Sequence, residues 1–239
     1  IVHYTKDVGL RGLRRTLDTL FRKIVFANAT DAAQIHRLSK EVLKDNLGPG
    51  LPKPSFSKDP AIGRSVALYS DGVTGNILPI EAVSVPGNSR IMVTGNIVPL
   101  LKETISTSMS NLKRAYKDFG LKKNWMDPID LHIHFGKPEV EKRGEGWGLA
   151  VFAAMLSNLR GIPLSPTLAF AGQLSLLGKV LPTSDIEAKC LAASQLGIEA
   201  VVISAWDDQA PIEQLSQHLE IIPIRNITEL LPILKERAK

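Results

Sequence analysis

One cysteine, Cys190, in a chain of 239 residues leaves no disulfide framework and no Cys-rich zinc module, and it fits a reducing compartment. Aromatic residues make up only 5%, too few for a platform on which bases stack. Long apolar runs are also missing. The longest, Leu149–Leu156, falls far short of the ~20 residues that span a bilayer, so no membrane partner is expected. No signal peptide opens the chain, and its first residue is Ile1 rather than Met, which reads as an excerpt from a longer protein. Charge of one sign is scarce beyond the first 50 residues. Those hold nine Lys/Arg against five Asp/Glu, and the rest carries only +1 of the total +5. The basic stretch Arg11–Lys23 could touch phosphates, but a solvated helix face is the plainer reading, so nucleic acid is the lesser option.

What is present is an ordinary globular composition, 44% apolar and 22% charged, in a chain long enough to bury a core without staples. Leu10, Leu13, Leu17, Leu20, Phe21, Ile24 and Val25 recur at helical spacing, and a second helix is expected after Thr30 or Asp31, with Ile35, Leu38, Val42 and Leu43 inward. Gly48-Pro49-Gly50 ends it, and the three prolines between Leu51 and Gly63 read as a linker. Two or three helices in 50 residues make a thin core. From Arg64 the pattern turns to strands at 65–69, 75–85 and 90–94, then a helix with Leu101, Ile105, Met109 and Leu112 on one side. Ile129, Leu131, Ile133 and Phe135 alternate with Asp130, His132 and His134, as in a strand with one buried face. Helices are expected at 146–159, 185–196 and 228–239, and strands at 167–171, 200–204 and 219–224. The class is α/β or α+β. The division is residues 1–50, a linker at 51–63, and a larger domain at 64–239.

Candidate chemistry narrows quickly. A phosphate-cradling loop needs G-x-x-x-x-G-K followed by Ser or Thr; Gly172 to Gly178 is one residue too long, and Val180 replaces the hydroxyl, so this chain holds no nucleotide loop. His132 and His134 share a strand face, but no third ligand adjoins them and no metal is expected. Cys190 falls on the apolar stripe of its helix and reads as structural. Its neighbour Lys189 lies at the margin of that stripe, where burial can lower a lysine pKa and make it a base. Gly144-Glu145-Gly146-Trp147-Gly148 is the oddest segment: three glycines just before a helix, with the bulkiest side chain inserted among them. Trp147 either anchors the loop on the core or fills an adjacent groove.

Nearly the whole chain resembles the C-terminal half of the Lon family of ATP-dependent proteases. Tyr4-Thr5 with Gly9-Leu10-Arg11-Gly12-Leu13 looks like the opening of that family's small helical AAA+ subdomain, and Arg11 would match its nucleotide-sensing arginine. Ile80-Glu81-Ala82 and Val85-Pro86-Gly87 look like its early protease strands, and His132-Ile133-His134 like its H-x-H strand. Gly172 with Gly178-Lys179-Val180-Leu181-Pro182 resembles the run before the catalytic lysine, which falls at Lys189. The family's nucleophile stands in G-P-S-A-G. Here the matching position is Gly146, 43 residues before Lys189, which is the family's own serine-to-lysine spacing. No serine, threonine or cysteine lies between Lys137 and Ser157. Arg143 replaces an acidic residue, Trp147 a small one, Ala171 a threonine and Gln173 a glutamate.

The resemblance implies a small helical subdomain followed by a Lon-type protease domain of mixed sheets with flanking helices, carrying a degenerate Ser–Lys site. It further implies an ATPase module upstream, with ATP and magnesium as cofactors of the longer protein and none in this chain. A hexameric ring would handle protein clients in the cytoplasm, or in the mitochondrial matrix of a eukaryote. The alternatives are an active protease using Ser175 or Cys190 as an unconventional nucleophile, and a nucleic-acid adaptor using the basic helix.

Overall fold

A computed structural model describes residues 4, 10–30, 37–50, 59–70, 75–95, 99–136, 145–208 and 219–238. The chain divides into two units, residues 1–56 and 57–239.

In the first unit α1 (Leu10–Ala29) and α2 (Lys40–Leu47) pack together. Thr30 does not open the second helix as expected. Its hydroxyl and amide both bond Phe26 O and finish α1 instead. Ser39 starts α2, its Oγ accepting from Val42 N, and Gly48, at φ 82°, ends it. Asp31 and Ile35 lie outside the described residues. The core of this unit is thin: Leu20 is buried, while Phe21, Val25, Phe26 and Leu38 are exposed and α2 buries no residue.

The second unit is built on a mixed seven-stranded sheet. In chain order its strands are β1 (Ala61–Ile62), β2 (Arg64–Ser70), β3 (Gly75–Pro86), β4 (Ile91–Thr94), β5 (Ile129–Phe135), β6 (Pro163–Leu164), β7 (Leu168–Phe170), β8 (Gln173–Leu174), β9 (Val180–Leu181), β10 (Ala200–Ser204) and β11 (Glu220–Ile224). The large sheet runs β11-β10-β7-β2-β3-β5-β4. β2, β3 and β5 pair antiparallel, and the flanking pairs are parallel. β1 pairs with β6, so Ala61 and Ile62 belong to a small sheet rather than to the expected linker. β8 and β9 form a hairpin of their own.

The helices are α3 (Pro99–Arg114), α4 (Gly148–Arg160), α5 (Ile186–Gln195) and α6 (Leu230–Glu236). α4 is apolar all round, as a helix enclosed on every side must be. Residues 148–157 of it are buried between α3 and the sheet face of Ala67, Leu78, Ile80 and Ala82. Strand alternation sends Val66, Leu68 and Ile77 to the other face. α5 covers that face. A side chain at Gly75 would collide with Ala188 O and Ala192 Cβ, so only glycine lets this helix approach.

Candidate functional site

Two elements meet at the N-terminal end of α4. The residue before Trp147 is Gly146, at φ 100°, a backbone conformation open to glycine and strained for any other residue. Gly172 clasps the turn from the far side: its N–H bonds Gly146 O at 3.1 Å, and its carbonyl accepts from Leu149 N at 3.0 Å. A Cβ placed on Gly146 would point at the lysine on α5. It would lie 3.2 Å from Lys189 Nζ and 3.0 Å from Thr183 Cγ2. The two residues separated by 43 positions in the sequence are therefore adjacent in space.

Lys189 is 1% exposed. Its amine donates to Ser184 O at 2.8 Å and to Glu145 O at 3.2 Å. An ammonium has three hydrogens and a neutral amine has two. The two carbonyls therefore satisfy a neutral amine and leave its lone pair without a claim on it from either. Desolvation acts in the same direction: burial pulls the Lys189 pKa down from the ordinary lysine value, outweighing the attraction of Glu145, Asp185 and Asp207.

The loop 182–185 that leads into the helix of this lysine is pinned by carboxylates. Glu145 Oε1 accepts from Ser184 N at 2.8 Å, and these contacts with Ser184 hold the Glu145 carboxyl below the usual carboxylate range. Asp207, 6% exposed, accepts from Thr183 N through Oδ1 and from Ser204 N through Oδ2. Burial nevertheless pushes its pKa up, because desolvation exceeds what the two amides return. Asp185, which starts α5, stands at φ 53°. In the middle of this loop the Thr183 hydroxyl is buried with no hydrogen-bond partner, an arrangement that costs about 1–3 kcal/mol.

The remaining expected site residues distribute as follows. Trp147 is fully buried, stacked on Tyr69 at 5.0 Å and edge-on to Phe135 at 6.5 Å. Of the two readings open from the sequence, this burial favours Trp147 as the anchor of the turn over a filler of an adjacent groove. Ala171 is buried beside Gly172, and its amide bonds Val202 O. Gln173 borders a cleft of about 260 Å³ with Leu174, Gly148, Glu103, Thr104 and Thr107. Glu81, His134 and Thr94 are neighbours across β3, β5 and β4, on the sheet face that α5 covers farther along. Glu81 pairs with Arg64 at 3.2 Å, while His132 Nε2 and His134 Nδ1 share the Thr94 hydroxyl at 3.0 and 2.8 Å. None of these three bonds Lys189. Among the described residues no three His, Cys, Asp or Glu side chains group around a point that could hold a metal. Arg143 lies outside the described residues. Arg11 is exposed on α1, in the other unit.

The alternative nucleophiles fare differently from Lys189. Cys190 is buried, and desolvation pushes its thiol up to about 12, so it carries almost no thiolate. Ser175 turns the β8–β9 hairpin, its Oγ accepting from Lys179 N. Sequence reasoning passed over Thr183, Asp207 and the Glu145 carboxylate. None carries a local motif, and each acts through a partner at least 24 residues away.

Residues 37–236 match the family described as the Lon protease (S16) C-terminal proteolytic domain. The chain belongs to this family. Among its relatives, the Lon protease of Brucella suis is 34% identical over 239 residues, covering 97% of this chain and 29% of that protein. The Lon protease of Rhizobium meliloti is 33% identical over 235 residues, and Lon protease 2 of Sorangium cellulosum 30% over 243. This Lon-family chain thus spans about 29% of the length of the curated relatives it matches. The mixed sheet with its flanking helices is consistent with a Lon protease domain.

Proposed function

We propose that this is a Lon-type protease domain that has lost its nucleophile, and that it works within a longer protein by unfolding or holding protein clients without cutting them. Gly146 stands where the family's serine would be, and Lys189 is the retained lysine of the dyad. The supporting observation is the direction of the missing bond: a side chain on Gly146 would project to 3.2 Å from the Lys189 amine, and only hydrogen is there. In a serine–lysine dyad the neutral amine takes the serine proton while backbone amides at a helix start hold the oxyanion. Without the attacking oxygen such sites lose on the order of a million-fold in rate. The amine stays useful as a staple, tying the Glu145 turn to the Ser184 loop.

In the longer protein, ATP with magnesium would supply the work, and a hexameric ring would present this domain to its clients. Arg11, exposed on α1, is the residue of this chain that would meet nucleotide phosphates.

The test uses the full-length protein with ATP and an aggregation-prone client labelled for fluorescence. Suppression of aggregation or release of unfolded client, with no peptide products, is the expected result. ATP-dependent degradation that disappears in Lys189→Ala would overturn the reading.

A further inference from the structure

We infer that Thr183 is a latent nucleophile of this site, paired with Lys189 and able to take a small acyl group from an activated ester. Three observations converge on it. The Thr183 methyl carbon lies 3.0 Å from the point where a side chain on Gly146 would begin. That same point is 3.2 Å from Lys189 Nζ. The Thr183 hydroxyl is buried and bonds nothing where it now sits, so the native packing gives it no reason to stay there.

One staggered rotation about χ1, about 120°, carries Oγ1 into the place now held by the methyl. The hydroxyl then stands beside the point at which a Gly146 side chain would begin, and that point is itself 3.2 Å from the amine. Both hydrogens of a neutral Lys189 amine are already given to Ser184 O and Glu145 O, so its lone pair is the one group left to receive a proton. Threonine supplies the oxygen that glycine cannot, from the neighbouring loop instead of from the turn before α4. A β-branched residue held by Asp207 through its own amide is poorly placed to follow a peptide carbonyl. A small ester needs no such alignment. The inference therefore goes beyond the non-proteolytic reading without requiring peptide turnover.

With p-nitrophenyl acetate the step balances. Oγ1 of Thr183 attacks the acetyl carbon, and its proton passes to Lys189 Nζ. The new Oγ1–C bond replaces the bond to the leaving oxygen, and p-nitrophenolate departs. An acetyl-threonine ester and a protonated lysine remain.

The experiment mixes the chain with p-nitrophenyl acetate and reads the burst of p-nitrophenolate, then maps the acetyl group by mass spectrometry before and after hydroxylamine. The expected result is one acetyl per chain at Thr183, removed by hydroxylamine because it is an ester. Thr183→Val should abolish the burst, Thr183→Ser should keep it, and Lys189→Met should slow it by about 10²–10⁴-fold, the usual range for losing a general base. A hydroxylamine-stable label on Lys189 overturns the inference. So does a burst that survives in Thr183→Val with its circular dichroism unchanged, or the absence of any burst from parent and Thr183→Ser alike. Cleavage of peptides by the full-length protein, lost in Thr183→Val, would instead remove the non-proteolytic reading and leave this inference standing.

Discussion

Gly146 and Trp147 are neighbours in the chain and belong to different economies of energy. Trp147 faces the core, stacked on Tyr69 and edge-on to Phe135, at the head of α4 with its run of ten buried residues. Gly146 faces the loop 182–185, where each contact is a single polar one: one carboxylate on Ser184, another on Thr183, one amine between two carbonyls. The first region is stabilised by many interchangeable contacts, the second by few irreplaceable ones. Packing therefore does not register whether the hydroxyl is present. On the proposed reading, the fold keeps the geometry of a catalytic corner after its chemistry has gone.

The sharpest break of that comparison is at Trp147. Trp147→Ala removes a fully buried indole, and truncations of this kind cost about 3–5 kcal/mol. A denaturant titration should show a loss of that size, and a loss below 1 kcal/mol would place Trp147 outside the core. Gly146→Ser should come next, at about 1–3 kcal/mol, because φ 100° must be imposed on a residue with a side chain. Its peptidase rate should stay near that of the parent, since the serine begins 3.0 Å from Thr183 Cγ2 and Trp147 fixes the turn behind it. A rise approaching the million-fold that a serine nucleophile contributes would mean that the corner had decayed at one atom only.

The apolar region is also the one the sequence discloses. Leu101, Ile105, Met109 and Leu112 recur at helical spacing, and all are buried along α3. Leu131, Ile133 and Phe135 alternate with His132 and His134, and β5 buries the first set and half-exposes the second. Both patterns are periodic because one element faces one environment. The short strands β8 and β9 have two residues each, too few for any period, so that hairpin is silent in the sequence. α2 was expected to begin near Thr30, because a threonine that closes one helix offers the same cap chemistry as one that opens the next. At the site, Gly146 stood out in its glycine-rich segment and Lys189 at the margin of an apolar stripe, and a resemblance joined the two through their spacing. Thr183 and Asp207 were not, because their roles depend on where a chain segment folds back, and residue type alone does not encode that.

Lys189 lets the polar side be measured by itself. Its pKa is depressed in the folded chain, so between the depressed value and the ordinary lysine value the unfolded chain binds more protons. Stability must therefore rise with pH across that window, by at most about 1.4 kcal/mol per unit. Lys189→Met cannot titrate. The stability of the parent minus that of Lys189→Met should climb as the solution becomes alkaline, and a flat difference would mean that the amine keeps its proton inside the fold.

The smallest effect is expected at Glu145, where the two regions join. Its carboxylate accepts from Ser184 N, and this contact lowers its pKa. A group lowered in this way stabilises the fold above its unfolded pKa, and the contribution disappears as pH falls through the folded value. Glu145→Gln keeps a carbonyl for the amide and loses only the charge. Because the side chain is partly open to water, the change should cost about 1 kcal/mol or less near neutral pH. In acid the parent carries a neutral carboxyl too, so the two stabilities should converge below the ordinary carboxylate range. If the gap instead stays constant with pH, the Glu145 charge plays no part in pinning the loop 182–185, and Asp207 with the Lys189 amine must hold it without that help.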